Sequence, residues 1–195
     1  RTNTGSDYSA KDVTISGTMD IGALRQMYAG SLAGRVTNDL KVTNVHSSTV
    51  FTCSGSETAY VGRLIGECAS GITSIEISGT SSSSPSVFSG NITSTNSKSG
   101  SCVGGVIGIV NHASNEEESW NFTNVKLSGT ISSTSAKENQ QIGGLIAGVV
   151  HYPWAQDGAV FNSRLLTLNG VVTDGLVIQG KVDNSDISSM GGLLG

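Results

Sequence analysis

Gln141–Val150 reads QIGGLIAGVV. Four other stretches carry nearly the same apolar, glycine-punctuated phrase: YAGSLAGRV at 28–36, YVGRLIGEC at 60–68, CVGGVIGIV at 102–110 and MGGLLG at 190–195. The glycines that open the five copies are Gly30, Gly62, Gly104, Gly143 and Gly191, spaced 32, 42, 39 and 48 residues apart. Self-similarity at a period of about 40 residues marks a repeat architecture, in which each unit buries its apolar face only by stacking on its neighbours.

A second phrase alternates with the first. It reads VTISGTM at Val13–Met19, IEISGTS at Ile75–Ser81 and VKLSGTI at Val125–Ile131. Looser copies are VFSGNI at Val87–Ile92, LTLNGVV at Leu166–Val172 and VIQGKV at Val177–Val182. A shorter element ending in Asn, Ser or a similar polar residue precedes the better copies, as NFTN precedes VKLSGT. In VKLSGTI, Val125, Leu127, Gly129 and Ile131 alternate with Lys126, Ser128 and Thr130. That period of two predicts a half-buried strand with a solvated polar face. A glycine at the same inward site in several copies predicts a bend or a close backbone approach.

The first phrase has apolar residues in succession, so both faces of its strand need cover. One face enters the core. The other is covered by an insertion, a neighbouring sheet or another molecule, and Gly143, Gly144, Ala147 and Gly148 leave room for close backbones. Asp20–Val36 also allows a helical turn, with Ile21, Leu24 and Tyr28 on one face, before the strand from Ala29. The whole pattern predicts an all-β chain: a right-handed parallel β-solenoid (β-helix) of ~40-residue repeats. Residues 1–195 form one repeat array, expected to be a fragment of a longer solenoid. Insertions at Ser81–Ser86, His112–Trp120 and Tyr152–Gly158 are expected to emerge as loops.

Composition narrows the function. Charged residues are 13% of the chain, against roughly a quarter in ordinary soluble domains. The net charge is −4, and the 11 Lys and Arg residues are scattered. Nucleic-acid binding needs clustered cations to neutralise phosphates, so it is not expected. No apolar run reaches the 18 or so residues that a membrane helix needs, so no membrane insertion is expected in this segment.

Taken together, the phrases resemble the GLUG-type repeat, named for its Gly-Leu-any-Gly core. The matching residues are Gly104-Gly105-Val106-Ile107-Gly108, Gly143-Gly144-Leu145-Ile146 and Gly191-Gly192-Leu193-Leu194-Gly195, with Asn124–Ile131 as the linking strand. The copies at Gly30 and Gly62 replace the second glycine by Ser31 and Arg63, and Ala147 interrupts the Gly143 copy. The resemblance implies a surface or matrix β-solenoid of the kind found in large secreted proteins and adhesins. It implies no catalytic residues and no cofactor.

Candidate site residues follow from residue type and place. Trp120, Tyr152 and Trp154 lie on the long insertions, where aromatics stack on sugars, anchor an interface or cap a core edge. Asn91-Ile-Thr and Asn121-Phe-Thr are sequons, candidate N-glycosylation sites only in a chain that passes through a eukaryotic secretory pathway. Cys53 and Cys68 are the candidate disulfide, with small buried thiols as the alternative, and Cys102 is left over. His112 and His151 each lie eight residues after their anchor glycine. Equivalent places stack in a solenoid, but two imidazoles make an incomplete metal site, and exposed loop positions are the favoured reading. Glu116-Glu117-Glu118 is read as a solvated acidic loop, without the spaced ligands of a calcium loop.

Glycan-cleaving β-helices need paired carboxylates, and the aspartates here recur at no fixed repeat position. Ice binding needs a regular threonine ladder. The SGT threonines Thr18, Thr80 and Thr130 are interrupted by Asn91 and Val171, so it is not favoured. The expected function is that of a non-enzymatic extracellular or cell-surface segment: a stalk, a fibre or filament subunit, or an adhesin. Its expected partners are other repeats, copies of itself, or surface glycans or proteins. The alternatives are a glycan-binding or glycan-cleaving β-helix, and a spacer beside a separate catalytic domain.

Overall fold

The computed structural model describes residues 7–96, 100–112, 118–135, 140–151, 164–182 and 189–195. Among them there is no helix; the chain is all-β. The first copy supplies β1 (Tyr8–Ile15), β2 (Thr18–Ala23), β3 (Met27–Ala29) and β4 (Ala33–Val36). The second supplies β5 (Leu40–Ser47), β6 (Val50–Gly55), β7 (Ala59–Gly62) and β8 (Ile65–Cys68). The third gives β9 (Ser74–Ser78), β10 (Ser86–Phe88), β11 (Ile92–Ser94), β12 (Cys102–Gly104) and β13 (Ile107–His112). The fourth gives β14 (Glu118–Thr123), β15 (Val125–Ser135), β16 (Gln141–Gly143) and β17 (Ile146–His151). The last gives β18 (Arg164–Asn169), β19 (Val172–Val182) and β20 (Ser189–Gly191).

Three sheets result: one of 11 strands, one in the order β20-β16-β12-β7-β3, and one in the order β17-β13-β8-β4. Pairing between the strands is parallel, and each strand pairs with a strand of the next or previous copy, never with one of its own. Gly62 lies opposite Gly104, Gly104 opposite Gly143, and Gly143 opposite Gly191. The repeat spacing legible in the sequence is therefore the pairing register.

The glycine phrase is two strands, not one. In QIGGLIAGVV, β16 ends at Gly143 and β17 begins at Ile146, in different sheets. Gly144 and Leu145 make the corner between them. The corners stack by backbone hydrogen bonds: Leu32 N to Leu64 O at 3.0 Å, Leu64 N to Val106 O at 3.0 Å, Val106 N to Leu145 O at 2.9 Å, and Leu145 N to Leu193 O at 2.8 Å. A Cβ on Gly62, Gly104, Gly143 or Gly191 would collide with the carbonyl oxygen three residues on. The first glycine is thus required by the tightness of the corner itself.

The corners divide the interior. Leu64, Val106 and Leu145 join Ile75, Phe88 and Phe122 in a core between the third sheet and the β5, β9, β14 part of the large sheet. Val61, Val103 and Ile142 join Phe51, Ile92 and Ile131 in a second core between the second sheet and the β6, β11, β15 part. The outer faces of the second and third sheets meet in turn, packing Cys102, Ile109 and Ala147 beside Tyr60. The second apolar face of the phrase is therefore covered by a neighbouring sheet.

A left-handed residue recurs where the large sheet bends. Asp12, Asn44 and Asn124 have φ of 55°, 52° and 52°. Asn and Asp tolerate this region best among residues with a side chain, which explains the polar residue closing the short element. Gly129, with φ of 77°, sits at a register shift between β15 and β19. The extra residue lies on β19, where three steps from Thr173 to Leu176 face two steps from Leu127 to Gly129. Between β9 and β10 the segment Gly79–Pro85 loops out, so the Ser81–Ser86 insertion is there, although Ser86 itself is in a strand.

The helical turn that Asp20–Val36 allows is absent. Thr18–Ala23 is strand β2, paired with β6, with Ile21 and Ala23 buried. Leu24, needed for the apolar helix face, is 81% exposed. Cross-strand pairing outweighs the weak 3.6-residue pattern.

Candidate functional site

The outer cleft between the second and third sheets gathers the chain's most chemically varied side chains. One wall is the residue two before each anchor glycine: Tyr28, Tyr60, Cys102, Gln141 and Ser189, aligned by the registers of the second sheet. The other wall is the residue five after each anchor: Arg35, Glu67, Ile109 and, in the Gly143 copy, Gly148. Ile109 also faces Gly148 across β13 and β17.

Tyr28 and Tyr60 stack with centroids 5.5 Å apart. The Arg35 guanidinium lies 5.6 Å from the Tyr28 ring centroid. Its Nε is 2.5 Å from Glu67 Oε2. Asn111 Nδ2 donates to Glu67 Oε1. Glu67 is buried while Arg35 is half exposed. Burial pushes the Glu67 carboxyl up from its ordinary range, and the charge of Arg35 and the Asn111 hydrogen bond only partly offset this. Further along, Cys102 Sγ donates to Gln141 Oε1 at 3.2 Å. Among the described residues, Glu67 is the one buried carboxylate of the cleft.

Arg63 replaces the second glycine of its corner and is fully buried. Its NH1 donates to Phe88 O at 2.9 Å, while Nε and NH2 have no partner among the described residues. Desolvation lowers its pKa to about 10. The corner is tied further by Ser31 Oγ, which donates to Arg63 O at 2.5 Å.

The residues singled out in the sequence fall elsewhere. Trp120 is not presented on a loop: it is 6% exposed on β14, packed in the first core and aligned with Ile75 and Leu166. The alternation of Trp120 and Phe122 with polar neighbours carried that signal. Tyr152 and Trp154 lie outside the described residues. So do Glu116 and Glu117, whereas Glu118 is a buried residue of β14, not part of a solvated loop.

Cys53 and Cys68 form no disulfide. Cys53, Cys68 and Cys102 are all free and buried. Cys53 lies in the second core and Cys68 in the first, so the corner separates them. Burial raises all three thiol pKa values, that of Cys102 to about 12.

Asn91 is exposed beside β11, and its Oδ1 accepts from Thr130 N at 2.8 Å. Asn121 is half-buried in mid-strand, and its Nδ2 donates to Ser119 Oγ at 2.8 Å. His112 and His151 end β13 and β17 and are register partners. They are strand-end rather than loop residues. No cluster of three or more potential metal ligands occurs among the described residues.

Compared with family models, with curated proteins and with solved structures, the chain matches none.

The cleft itself was not anticipated. Its signal was present as residues at fixed offsets from the anchor glycines: two tyrosines in successive copies, and an arginine followed one copy later by a glutamate.

Proposed function

We propose that this chain is part of a right-handed parallel β-solenoid of the GLUG-like kind, working outside the cell as a non-enzymatic structural or adhesive rod. One observation carries the reading: each strand pairs in register with the corresponding strand of the adjoining copy, through the anchor glycines. A backbone connected in this way resists bending because every copy is bonded along its length to the next. Contacts between rods are end-to-end or lateral, with other repeats, other copies, or surface glycans and proteins.

Glycan binding without cleavage is the second reading. The stacked Tyr28 and Tyr60 with Arg35 beside them favour it, since aromatic faces and a planar cation suit sugar recognition. A spacer beside a catalytic domain would use the same rod.

Electron microscopy of the purified chain with small-angle scattering tests the first reading. Stiff particles that associate end-to-end or laterally support it. Globular, non-associating particles that bind glycans only while Tyr28 and Tyr60 are intact would replace it with the second.

A further inference from the structure

We propose that the outward face of β6, β11 and β15 is an ice-binding surface. Thr52, Thr93 and Ser132 are register partners across these three strands. One pleat further come Ser54 on β6, Thr95 just past the end of β11, and Thr134 on β15. All six point outward; Ser132 is half-buried and the others are exposed. The row is uncharged between Asp20 on β2 and Gln179 on β19, its register neighbours at either side.

The SGT threonines do not form this ladder. Thr18 faces Val50 and Thr130 faces Val177, and Thr80 lies in the Gly79–Pro85 loop. On β15 the ladder lies two residues after the SGT threonine, at Ser132, and its signal was the recurrent T-x-S, T-x-T and S-x-T at 52–54, 93–95 and 132–134.

Parallel, in-register strands set the hydroxyls on a grid, about 4.8 Å between strands and about 6.6 Å along each strand. Thr95 Oγ1 donates to Cys53 O at 3.4 Å, whereas the hydroxyls of Thr52, Thr93 and Ser132 make no such bond to another described residue. They are available to a ligand that is itself periodic. A mineral surface calls for charges, which the grid lacks. A crystalline polysaccharide calls for aromatic platforms, which the grid also lacks. A neutral lattice of water matches a surface of hydroxyls and methyls, because each hydroxyl both donates and accepts. The inference does not depend on whether the chain serves as a stalk or an adhesin.

The test is ice growth in the presence of the purified chain, with Thr93→Tyr and Thr14→Tyr as variants. Thr14 is exposed on β1, outside the grid, and tyrosine suits a strand at either place. Melting curves establish that both variants fold. The proposal expects faceted crystals and a gap between melting and freezing, lost in T93Y and kept in T14Y. Smooth discs with the wild-type chain overturn it. So does retention of faceting in a folded T93Y, or a T93Y-sensitive dimer with no effect on ice, which would make the face a contact between copies.

Discussion

The carbonyl oxygen of Gly144 occupies the place where a Cβ on Gly105 would stand. The same relation holds one copy on, where the Gly192 carbonyl blocks a Cβ on Gly144, while Gly192 itself has open space. The second glycine of the phrase is therefore a requirement imposed by the copy stacked upon it.

Gly105→Ala and Gly144→Ala should each destabilise the chain by about 1–3 kcal/mol, the usual cost of forcing a methyl into packed surroundings. Gly192→Ala should be nearly neutral. Urea unfolding midpoints of the three variants decide the matter, and equal losses at all three would remove the stacking explanation.

Asn124→Val should cost about 1–2 kcal/mol, because the residue holds φ of 52° and a side chain branched at Cβ is strained there. Asn124→Gly should come close to the wild type. Thermal melts of both variants check this, and a tolerated valine would mean that the bend is not fixed by residue 124.

Reduction should leave both the melting temperature and the native mass unchanged, since the three cysteines are free. Thiol reagents should label them slowly at neutral pH and quickly after denaturation, because burial keeps each thiol protonated as well as inaccessible. Rapid labelling of the folded chain, or a mass gain of two protons on reduction, contradicts the arrangement.

Glu67→Gln tests the buried carboxylate. Its folded pKa is raised, so the folded state holds the proton to higher pH than the unfolded chain does. The contribution of Glu67 to stability is therefore largest below the unfolded carboxylate range and declines as pH rises through the raised value. The glutamine variant should gain on the wild type at neutral pH and lose that advantage in acid. Its Oε1 can still accept from Asn111, and half-exposed Arg35 can turn to water. Melting temperatures across that window measure it; a variant weaker at neutral pH shows that the Arg35 pairing dominates.

The sequence and the structure agree most closely on spacing. Anchors 32, 42, 39 and 48 residues apart become the pairing register because a parallel ladder can join like to like only across one repeat. Local geometry was less legible. Consecutive apolar residues in QIGGLIAGVV look alike whether they make one doubly covered strand or two strands around a corner, and only the collision at Gly143 separates the cases. Trp120 was misread because an acidic run beside it suggested a loop, whereas its pairing with Ile75 and Leu166 holds it in the core. The Tyr28–Arg35–Glu67 cluster needed comparison of equivalent positions between copies, not inspection of any one motif.

Every strand pair joins residues 32 to 48 positions apart, and none joins two strands of one copy. Under tension applied to its two ends, the chain should therefore lengthen in instalments. Detaching the outermost copy severs its ladders together and frees one repeat of slack, about 11–16 nm of extended backbone. A single-molecule force trace should show a staircase with treads of that size, and its uneven step lengths would report the 32-, 42-, 39- and 48-residue spacings directly.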